Sequence, residues 1–151
     1  WGAFNQQTYN GGPNMSLTYA TGFAVRWTVT GSAEQLVNEM SSLDTNRHHL
    51  VIDNGYVTWD GVAKGRSTGH RDNYQLNYNL FLGTINPGGT TPTSNAKSKY
   101  YSYKVWNGDG DLIQNFVPAK NSSGVIGMYD TVNDRFYTNA GTGSLTAGPE
   151  I

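Results

Sequence analysis

The segment YDTVNDRF, Tyr129 to Phe136, gathers several oxygen-bearing side chains within a few positions. Asp130, Asn133 and Asp134 carry carboxylate and amide oxygens, the ligands that calcium prefers in proteins. An EF-hand loop would also need a central glycine and a bidentate glutamate, and this segment has neither. The other interpretation is a strand, a turn made by Asn133 and Asp134, and a second strand, because both residue types favour turns. The segment predicts such a turn, and a calcium site using Asp130 or Asp134 is the alternative.

Carboxylates suited to glycoside hydrolysis do not occur together on any predicted strand. That reaction needs two carboxyl groups flanking the scissile bond, one as acid and one as nucleophile or base. The glutamates of the chain are Glu34, Glu39 and Glu150. The first two lie in a segment with helical character, and the third lies beside the last residue. The sequence therefore predicts a protein that is not a hydrolase.

The histidines and the absence of cysteine argue against other catalytic chemistry. Without cysteine there is no disulfide scaffold, thiolate zinc site or cysteine nucleophile. His48 and His49 are adjacent, so in a strand their side chains point to opposite faces and do not easily bind one ion. With His70 as the remaining histidine, we find neither a convincing Ser-His-Asp order nor an HExxH motif. We predict no enzymatic activity.

The composition is typical of an all-β protein with many turns. Of its 151 residues, 19 are glycine and 10 are tyrosine, and only 14% are charged, against about a quarter in average proteins. Glycine is unfavourable in helices, whereas tyrosine and threonine suit strands. Extracellular and virion proteins often have this profile, so we expect the protein outside the cell, on a cell surface or on a virion.

The charge pattern excludes two classes of partner. The formal net charge is −1, and the lysines and arginines are spread along the chain instead of forming a basic stripe. Nucleic acid is therefore not an expected partner, because phosphate backbones demand concentrated positive charge. No apolar run approaches the length of a membrane span, so membrane insertion is not expected either.

Two neighbouring segments carry different periodicities. In GFAVRWTVTG, apolar and polar residues alternate, so Phe23 and Trp27 share one face of a strand and Arg26 lies on the other. The segment SAEQLVNEM, Ser32 to Met40, predicts a short helix, with Gln35 in position to complete a capping box.

The clearest local signal is a hairpin around Asn54-Gly55. This pair lies between two β-rich runs and predicts a two-residue type I′ turn. The turn fixes the register, with Asp53 opposite Tyr56, and Tyr56 then faces away from the core. Four side chains share the face predicted to be buried: Leu50, Ile52, Val57 and Trp59.

Further runs rich in β-branched and aromatic residues predict more strands, with turn residues between them. No linker splits the chain and no internal repeat is present, so we expect a single β-sandwich or jelly-roll domain over residues 1–151. The predicted strands are Tyr78–Thr84, Lys99–Trp106, Leu112–Pro118, Val125–Asp130 and Arg135–Asn139, with a turn at Asn107–Asp111 and exposed loops at Gly61–Asn73 and Ile85–Ser98.

Three segments in order resemble a known group of modules: HHLVIDNGYVTWDG, YNLFLGTIN and YYSYKVWNGDGDLIQNFVPAKNSSGVIGMYDTVNDRFYTNAGTGSLTAGPE. They are similar to concanavalin A-like, laminin-G-like jelly-roll modules of gut bacterial surface proteins and phage structural proteins. The resemblance covers roughly residues 45 to 149. It implies an antiparallel β-sandwich that recognises glycans or cell-surface receptors, with calcium as a possible ligand at a rim between loops. The superfamily's hydrolases carry a Glu-x-Asp-x-x-Glu strand motif, which this chain lacks.

The chain departs from the group at its beginning. Members usually start with a further strand region, whereas this chain begins at Trp1, after that point. We expect either that those strands lie on a separate or cleaved segment, or that the module does without them. A sheet without them has an open edge, and open edges invite pairing with another chain. A homo-oligomer, or a partner chain that supplies strands, is therefore a possible assembly.

Outward-facing aromatic residues are the candidates for a ligand-binding surface, because sugars bind to aromatic faces and to amide and carboxylate groups. The alternation of KYYSYKVW, by analogy with the group, turns Tyr101, Tyr103 and Val105 inward. The alternative role of the outward aromatics is an interface with a neighbouring subunit. The candidate ligand-binding residues are Arg26, Tyr56, Tyr100 and Trp106.

Two functions remain open from the sequence. The first is a non-catalytic recognition module that binds glycan or a cell-surface receptor. The second is a structural or assembly module of a phage fibre, a decoration protein or a surface filament. The first follows from the resemblance and the aromatic, amide-rich surface, and the second from the resemblance, the low charge and the missing opening strands.

Overall fold

The structure, a computed structural model, describes most of the second half of the chain and shorter stretches of the first. For the segments within residues 2–40, the description covers the backbone and strand pairing but not the side chains. The described residues are 2–7, 14–19, 23–28, 36–40, 46–54, 56–66, 80–84, 97–141 and 143–149.

The described residues form β-strands and contain no helix. The prediction of an all-β protein is therefore confirmed for this part of the chain. The strands are β1 Gly2–Gln7, β2 Asn14–Tyr19, β3 Phe23–Thr28, β4 Leu36–Met40, β5 Leu50–Asp53, β6 Tyr56–Trp59, β7 Val62–Arg66, β8 Phe81–Leu82, β9 Tyr103–Trp106, β10 Leu112–Lys120, β11 Ile126–Asp130 and β12 Arg135–Tyr137.

The strands pair in antiparallel sheets that belong to two compact units. The first unit, Trp1–Lys97, contains a five-stranded sheet of order β4-β3-β2-β1-β8 and a three-stranded sheet of order β5-β6-β7. The second unit, Ser98–Ile151, contains a four-stranded sheet of order β12-β11-β10-β9.

The five-stranded sheet confirms one predicted strand and corrects a predicted helix. The segment around Phe23 forms β3, as its alternation predicts. The prediction of a helix over Ser32–Met40 is wrong for Leu36–Met40, which forms β4 and pairs with β3, Arg26 opposite Leu36. A short apolar run does not distinguish helix from strand by itself, and pairing with a neighbouring strand overrides a weak helix propensity.

The three-stranded sheet contains the hairpin that Asn54-Gly55 predicts. The register is the expected one, with Asp53 opposite Tyr56 and Ile52 opposite Val57. Asn54 has a φ of 45°, the left-handed conformation that a type I′ turn requires at its first central position. Val57 is only 2% exposed, so the predicted inner face is confirmed at its centre.

The next strand lies where the sequence predicts a loop. Val62–Arg66 forms β7 and pairs with β6, so the prediction of an exposed loop over Gly61–Asn73 is wrong for these residues. The pairing shifts between Val57 and Thr58, and Gly65 has a φ of 115°. Such an irregularity breaks the alternation of side chains, so the strand has no regular pattern in the sequence.

The four-stranded sheet packs around Phe116, which is 8% exposed. The centre of its ring lies 5.4 Å from that of Tyr137, edge to face, and 6.3 Å from that of Tyr103. On the opposite face, Gly127 lies beneath Phe136. A Cβ at Gly127 would come within 2.6 Å of the Phe136 ring, so only glycine fits this position.

The strands of the second unit lie close to their predicted positions, with one difference at the start. β9 begins at Tyr103, so the alternation predicted from Lys99 onwards holds only for the last four residues of that segment. Tyr103 and Val105 are partly buried, as predicted, and Trp106 is exposed. The prediction that Tyr101 points inward is wrong, because this residue precedes the strand and is 45% exposed.

Other strand predictions are confirmed with changed bounds. β10 runs two residues beyond the predicted end at Pro118, β11 begins one residue later than predicted, and β12 ends at Tyr137. Of the predicted strand Tyr78–Thr84, only Phe81–Leu82 is a strand among the described residues. The predicted loop Ile85–Ser98 lies largely outside the described residues.

Candidate functional site

One end of the four-stranded sheet brings together two of the segments singled out from the sequence. β9 and β10 are joined there by the loop Asn107–Asp111, and β11 and β12 by the turn of residues 131–134. Both connections lie at the same end because the strands are antiparallel. We call this end, with Trp106 and Leu112 opposite each other, the Trp106 end.

The loop Asn107–Asp111 is held by the side chain of its first residue. Asn107 Oδ1 accepts hydrogen bonds from the backbone N–H groups of Asp109 at 3.0 Å and Asp111 at 2.8 Å. The Asn107 amide group also donates to Asp111 Oδ2 at 3.1 Å. Gly110, with a φ of 89°, takes the position that favours glycine and donates its N–H to the Asn107 carbonyl at 3.2 Å. The loop is thus fixed by local bonds.

The loop at the opposite end of β10 repeats the bonds from backbone N–H groups to an asparagine side chain, although its other side chains differ. Asn121 Oδ1 accepts from the N–H groups of Ser123 at 3.0 Å and Val125 at 2.9 Å. Gly124, with a φ of 81°, donates to the Asn121 carbonyl at 2.9 Å. The two loops therefore share one framework, an asparagine followed three residues later by a glycine. Ser123 stands where the other loop has Asp109.

Asp130 connects three parts of the Trp106 end from a fully buried position. The residue is 0% exposed. Its Oδ1 accepts hydrogen bonds from the backbone N–H groups of Asn115 at 3.0 Å and Val132 at 3.1 Å. Its Oδ2 accepts from the side-chain amide of Asn133 at 2.7 Å. The carboxylate thereby joins β10, the end of β11 and the following turn.

Asn133 and Asn115 extend this network across the sheet. The Asn133 amide group also donates to the carbonyl of Ile113 at 2.9 Å, which ties the turn to β10. The Asn115 amide donates to Thr131 Oγ1 at 2.7 Å, and the Thr131 N–H donates to the Asn115 carbonyl at 2.9 Å. These bonds span fifteen or more residues of sequence in each case, so the turn is held by partners from another strand.

The charge of Asp130 is stabilised despite its burial. Loss of water alone would raise the pKa of this carboxyl. The hydrogen bonds from Asn115, Asn133 and Val132 outweigh that effect, and the pKa is held below its usual value of 3.8. Asp130 is therefore an ionised structural carboxylate at neutral pH.

At the residues predicted as a calcium site, the carboxylates take part in hydrogen bonds within the chain. Both oxygens of Asp130 already accept N–H groups of the chain, and these donors would have to move for a cation to bind there. Asp134 accepts a hydrogen bond from the Tyr129 hydroxyl, which raises the pKa of Tyr129. Among the residues that the structure describes, no group of three or more His, Asp or Glu side chains could hold a metal ion. The arrangement supports the structural turn, with Asp134 at a φ of 53°.

Exposed apolar side chains surround this hydrogen-bonded framework. Trp106 is 54% exposed, and its partner across the strands, Leu112, is 37% exposed. Ile113 and Val132, which flank the Asp130 network, are 43% and 44% exposed. The Trp106 end therefore combines an exposed tryptophan side chain with a following loop that is held by hydrogen bonds.

A second exposed aromatic residue lies in the first unit. Tyr56 is 56% exposed, and the Arg66 guanidinium carbon lies 4.9 Å from the centre of its ring, in the range of a cation–π contact. Arg66 Nε also donates to the carbonyl of Asn54 at 3.2 Å. Arg66 could not be recognised as a partner of Tyr56 from the sequence, because β7 was not predicted.

The structure gives less detail for Arg26 and Tyr100, the other two candidate ligand-binding residues. Arg26 lies on β3, opposite Ser16 and Leu36, and its side chain is outside the described part of the structure. Tyr100 is half-buried and precedes β9. Arg26 and Tyr56 belong to the first unit, whereas Tyr100 and Trp106 belong to the second.

An interaction that sequence reasoning missed links His48 to Asp60. The His48 ring nitrogen Nδ1 lies 2.7 Å from Asp60 Oδ2, and the backbone N–H of His49 donates to Asp60 Oδ1 at 2.7 Å. These hydrogen bonds, led by that of His48, lower the pKa of Asp60. The His48 ring also stacks on Trp59 at 4.6 Å. The pair holds the base of the β5–β6 hairpin together, and its only sequence signal is the spacing of twelve residues across Asn54-Gly55.

Comparisons with known proteins found no relative of this chain. No protein-family model, curated protein or solved structure matches the chain. None of the residues that the structure describes belongs to a helix long and apolar enough to cross a membrane.

Proposed function

We propose that this protein is a non-catalytic recognition module that binds glycan, folded as a concanavalin A-like jelly-roll sandwich and located outside the cell, on a cell surface or on a virion. The observation that carries the proposal is Trp106, a large aromatic side chain that is 54% exposed beside a loop fixed by hydrogen bonds. The resemblance to laminin-G-like modules supports the same function.

The chemistry of sugars explains why such a residue suits this role. A pyranose ring has a face of C–H groups, which packs on an aromatic ring, and hydroxyl groups that need hydrogen-bond partners. Trp106 supplies the aromatic face. Asp109 and Asp111, which are exposed in the adjacent loop, supply carboxylate oxygens. An aromatic face and acceptors in the following loop are the two kinds of group that a sugar needs.

The test is a glycan array with the intact chain, followed by calorimetry on the sugars that bind. We expect Trp106→Ala to weaken binding by about tenfold or more, because central aromatic contacts dominate binding energies. The matched control is Val125→Ala, which removes an exposed apolar side chain at the opposite end of the same sheet. Unchanged affinity of Trp106→Ala, with its fold intact, would remove this residue from the site.

A second candidate function is assembly into a fibre, a decoration protein or a surface filament. It is favoured by the edges of the four-stranded sheet, since β9 and β12 are its outer strands and each pairs on one side within this sheet. Edge strands are templates for pairing with another chain. Analytical ultracentrifugation over a wide concentration range separates the two functions. A recognition module is expected to sediment as a monomer, and a stable multimer would favour assembly.

A further inference from the structure

We propose that Asn54 is a site of spontaneous deamidation, a modification in which the chain converts its own asparagine to aspartate and isoaspartate, and that Asn107 is protected from it. Each of these asparagines precedes a glycine, Gly55 or Gly108. A third Asn-Gly pair, Asn10-Gly11, lies outside the described residues. The modification is independent of the proposed glycan binding and needs only hydroxide and water as co-reactants.

The reaction joins the asparagine side chain to the following peptide group. Hydroxide removes the proton of the next backbone N–H, and that nitrogen attacks the side-chain carbon Cγ. A C–N bond forms there, the bond from Cγ to Nδ2 breaks, and ammonia leaves with a proton from water, which restores the hydroxide. Water then opens the cyclic succinimide at either of its carbonyl carbons, which gives aspartate or isoaspartate. Such an intramolecular attack is fast only where both groups can reach the attack geometry.

Asn54 lies where this geometry is accessible. The residue is exposed at the end of the β5–β6 hairpin. Its φ of 45° is positive, as both type I′ and type II′ turns require at the first central residue. These two turns differ by rotation of the peptide group between the central residues, and the rotation to type II′ brings the nitrogen of that group towards the first side chain. A following glycine has no Cβ to hinder the rotation.

The rotation has a small cost at this hairpin. It breaks the hydrogen bond that Arg66 Nε donates to the Asn54 carbonyl at 3.2 Å. That bond is exposed, so water replaces it. The strands on either side keep their pairing, because both turn types connect antiparallel strands through two residues.

Asn107 has the same neighbour in sequence and a different environment. It is half-buried, and its Oδ1 accepts from the N–H groups of Asp109 at 3.0 Å and Asp111 at 2.8 Å. Its amide group, which would leave as ammonia, donates to Asp111 Oδ2 at 3.1 Å. Its backbone carbonyl accepts from Gly110 at 3.2 Å, which holds the peptide group that contains the attacking nitrogen of Gly108. Attack at Cγ therefore requires several hydrogen bonds to break first.

The two products differ in their effect on the hairpin. Aspartate leaves the backbone unchanged and tolerates the positive φ of this position. Isoaspartate routes the backbone through the former side chain and adds a carbon to a two-residue turn, whose length fixes the register of β5 and β6. The modification thus acts on the surface that carries the exposed Tyr56 and its partner Arg66.

The first experiment incubates the intact chain at mildly alkaline pH and follows both asparagines by mass spectrometry of proteolytic peptides. We expect Asn54 to lose its amide at least about tenfold faster than Asn107, because hydrogen bonds that cost about 1.4 kcal/mol to break slow a reaction tenfold. In urea, where the fold no longer distinguishes the two sites, we expect similar rates. A rate at Asn54 that does not exceed that at Asn107 in the folded protein would overturn the proposal.

A pair of variants tests the protection of Asn107. Asp111→Ala removes the acceptor of its amide group, and we expect faster deamidation at Asn107 with the rate at Asn54 unchanged. The matched control is Asp109→Ala, which removes an exposed carboxylate of the same loop and keeps the backbone N–H that binds Asn107. It is expected to leave both rates unchanged. An unaltered rate at Asn107 in Asp111→Ala would contradict protection by the bond to Asp111.

The structural effect is measured on the aged protein itself. The added negative charge separates the modified forms by ion exchange, and isoaspartate is distinguished from aspartate by enzymatic methylation. We expect the isoaspartate form to melt at a lower temperature than the unmodified chain, whereas Asn54→Asp melts within about 2 °C of it, as for most surface substitutions. Equal melting temperatures of the isoaspartate form and the unmodified chain would show that the turn accommodates the longer backbone, against the proposed effect on the hairpin.

Discussion

The carboxylate of Asp130 combines complete burial with a lowered pKa, which links it to the pH dependence of stability. Burial alone would make the charged form unfavourable, and three donors, one from β10 and two from the turn that follows β11, offset that effect. A charge that is held in this way is a strong constraint on local structure, because removing it leaves several N–H groups without an acceptor.

Replacing Asp130 by asparagine tests this role at the level of the residue. The folded pKa is lower than the unfolded one, so the carboxylate contributes stability above pH about 4 and loses it as the pH falls through the folded pKa. We expect Asp130→Asn to lower the free energy of unfolding at pH 7 by about 1–3 kcal/mol and to flatten the acid limb of its pH dependence. Chemical denaturation between pH 2 and 8 measures the free energy of unfolding and its pH dependence. This range covers the titration of carboxyl groups.

The control for that measurement is Asp109→Asn, an exposed carboxylate in the neighbouring loop. Its removal should leave the stability within about 0.5 kcal/mol of the wild type, as for most surface substitutions. Equal effects of the two variants would show that the Asp130 network does not stabilise the sheet.

At the level of the elements, the sequence predicted strands best where a turn fixes their register. Asn54-Gly55 demands a type I′ turn, and such a turn dictates every pair of the β5–β6 hairpin, all of which the structure contains. The strand–turn–strand interpretation of YDTVNDRF is likewise confirmed by β11, the turn and β12. In both cases local chemistry decides the structure.

Elements that depend on distant partners were predicted less well. β4 lies in a segment with helix signals, and it becomes a strand because β3 offers a partner. β7 contains a glycine, and its pairing with β6 shifts in register. The sequence of β7 therefore lacks the alternation of apolar and polar residues that would predict a strand. At the Trp106 end, the sequence predicts an outward Trp106 and a turn near Asp130, but not that Asn133 bonds to Ile113 twenty residues away. Hydrogen bonds across strands depend on a register that the sequence alone does not supply.

The paired loops of β10 provide a prediction about an element. Asn121→Ala removes the acceptor of the Ser123 and Val125 N–H groups, and we expect a loss of about 0.5–1.5 kcal/mol because water partly replaces it. Thermal and denaturant unfolding measure the change. Ser122→Ala, in the same loop, is the control and should have no measurable effect. Full stability of Asn121→Ala would mean that the glycine alone determines the loop.

At the scale of the whole molecule, the prediction of one domain over residues 1–151 stays a prediction. Contacts divide the chain into Trp1–Lys97 and Ser98–Ile151, and each unit has its own sheets. Among the residues whose side chains the structure describes, the buried hydrophobic side chains are Val57 in the first unit and Phe116 in the second. The described side chains of the second unit therefore form a small core around Phe116.

Expression of residues 98–151 alone tests whether the second unit is a domain. A unit of roughly fifty residues buries little of its surface, and a chain without cysteine has no disulfide to compensate. With Phe116 as the buried hydrophobic side chain of the described part, we expect the fragment to lack cooperative unfolding by circular dichroism, whereas the complete chain at the same concentration unfolds cooperatively. Dispersed amide resonances and a sharp transition in the fragment would instead identify an independent domain. In that case calorimetry on the same fragment would test whether the proposed sugar binding at the Trp106 end requires residues 1–97.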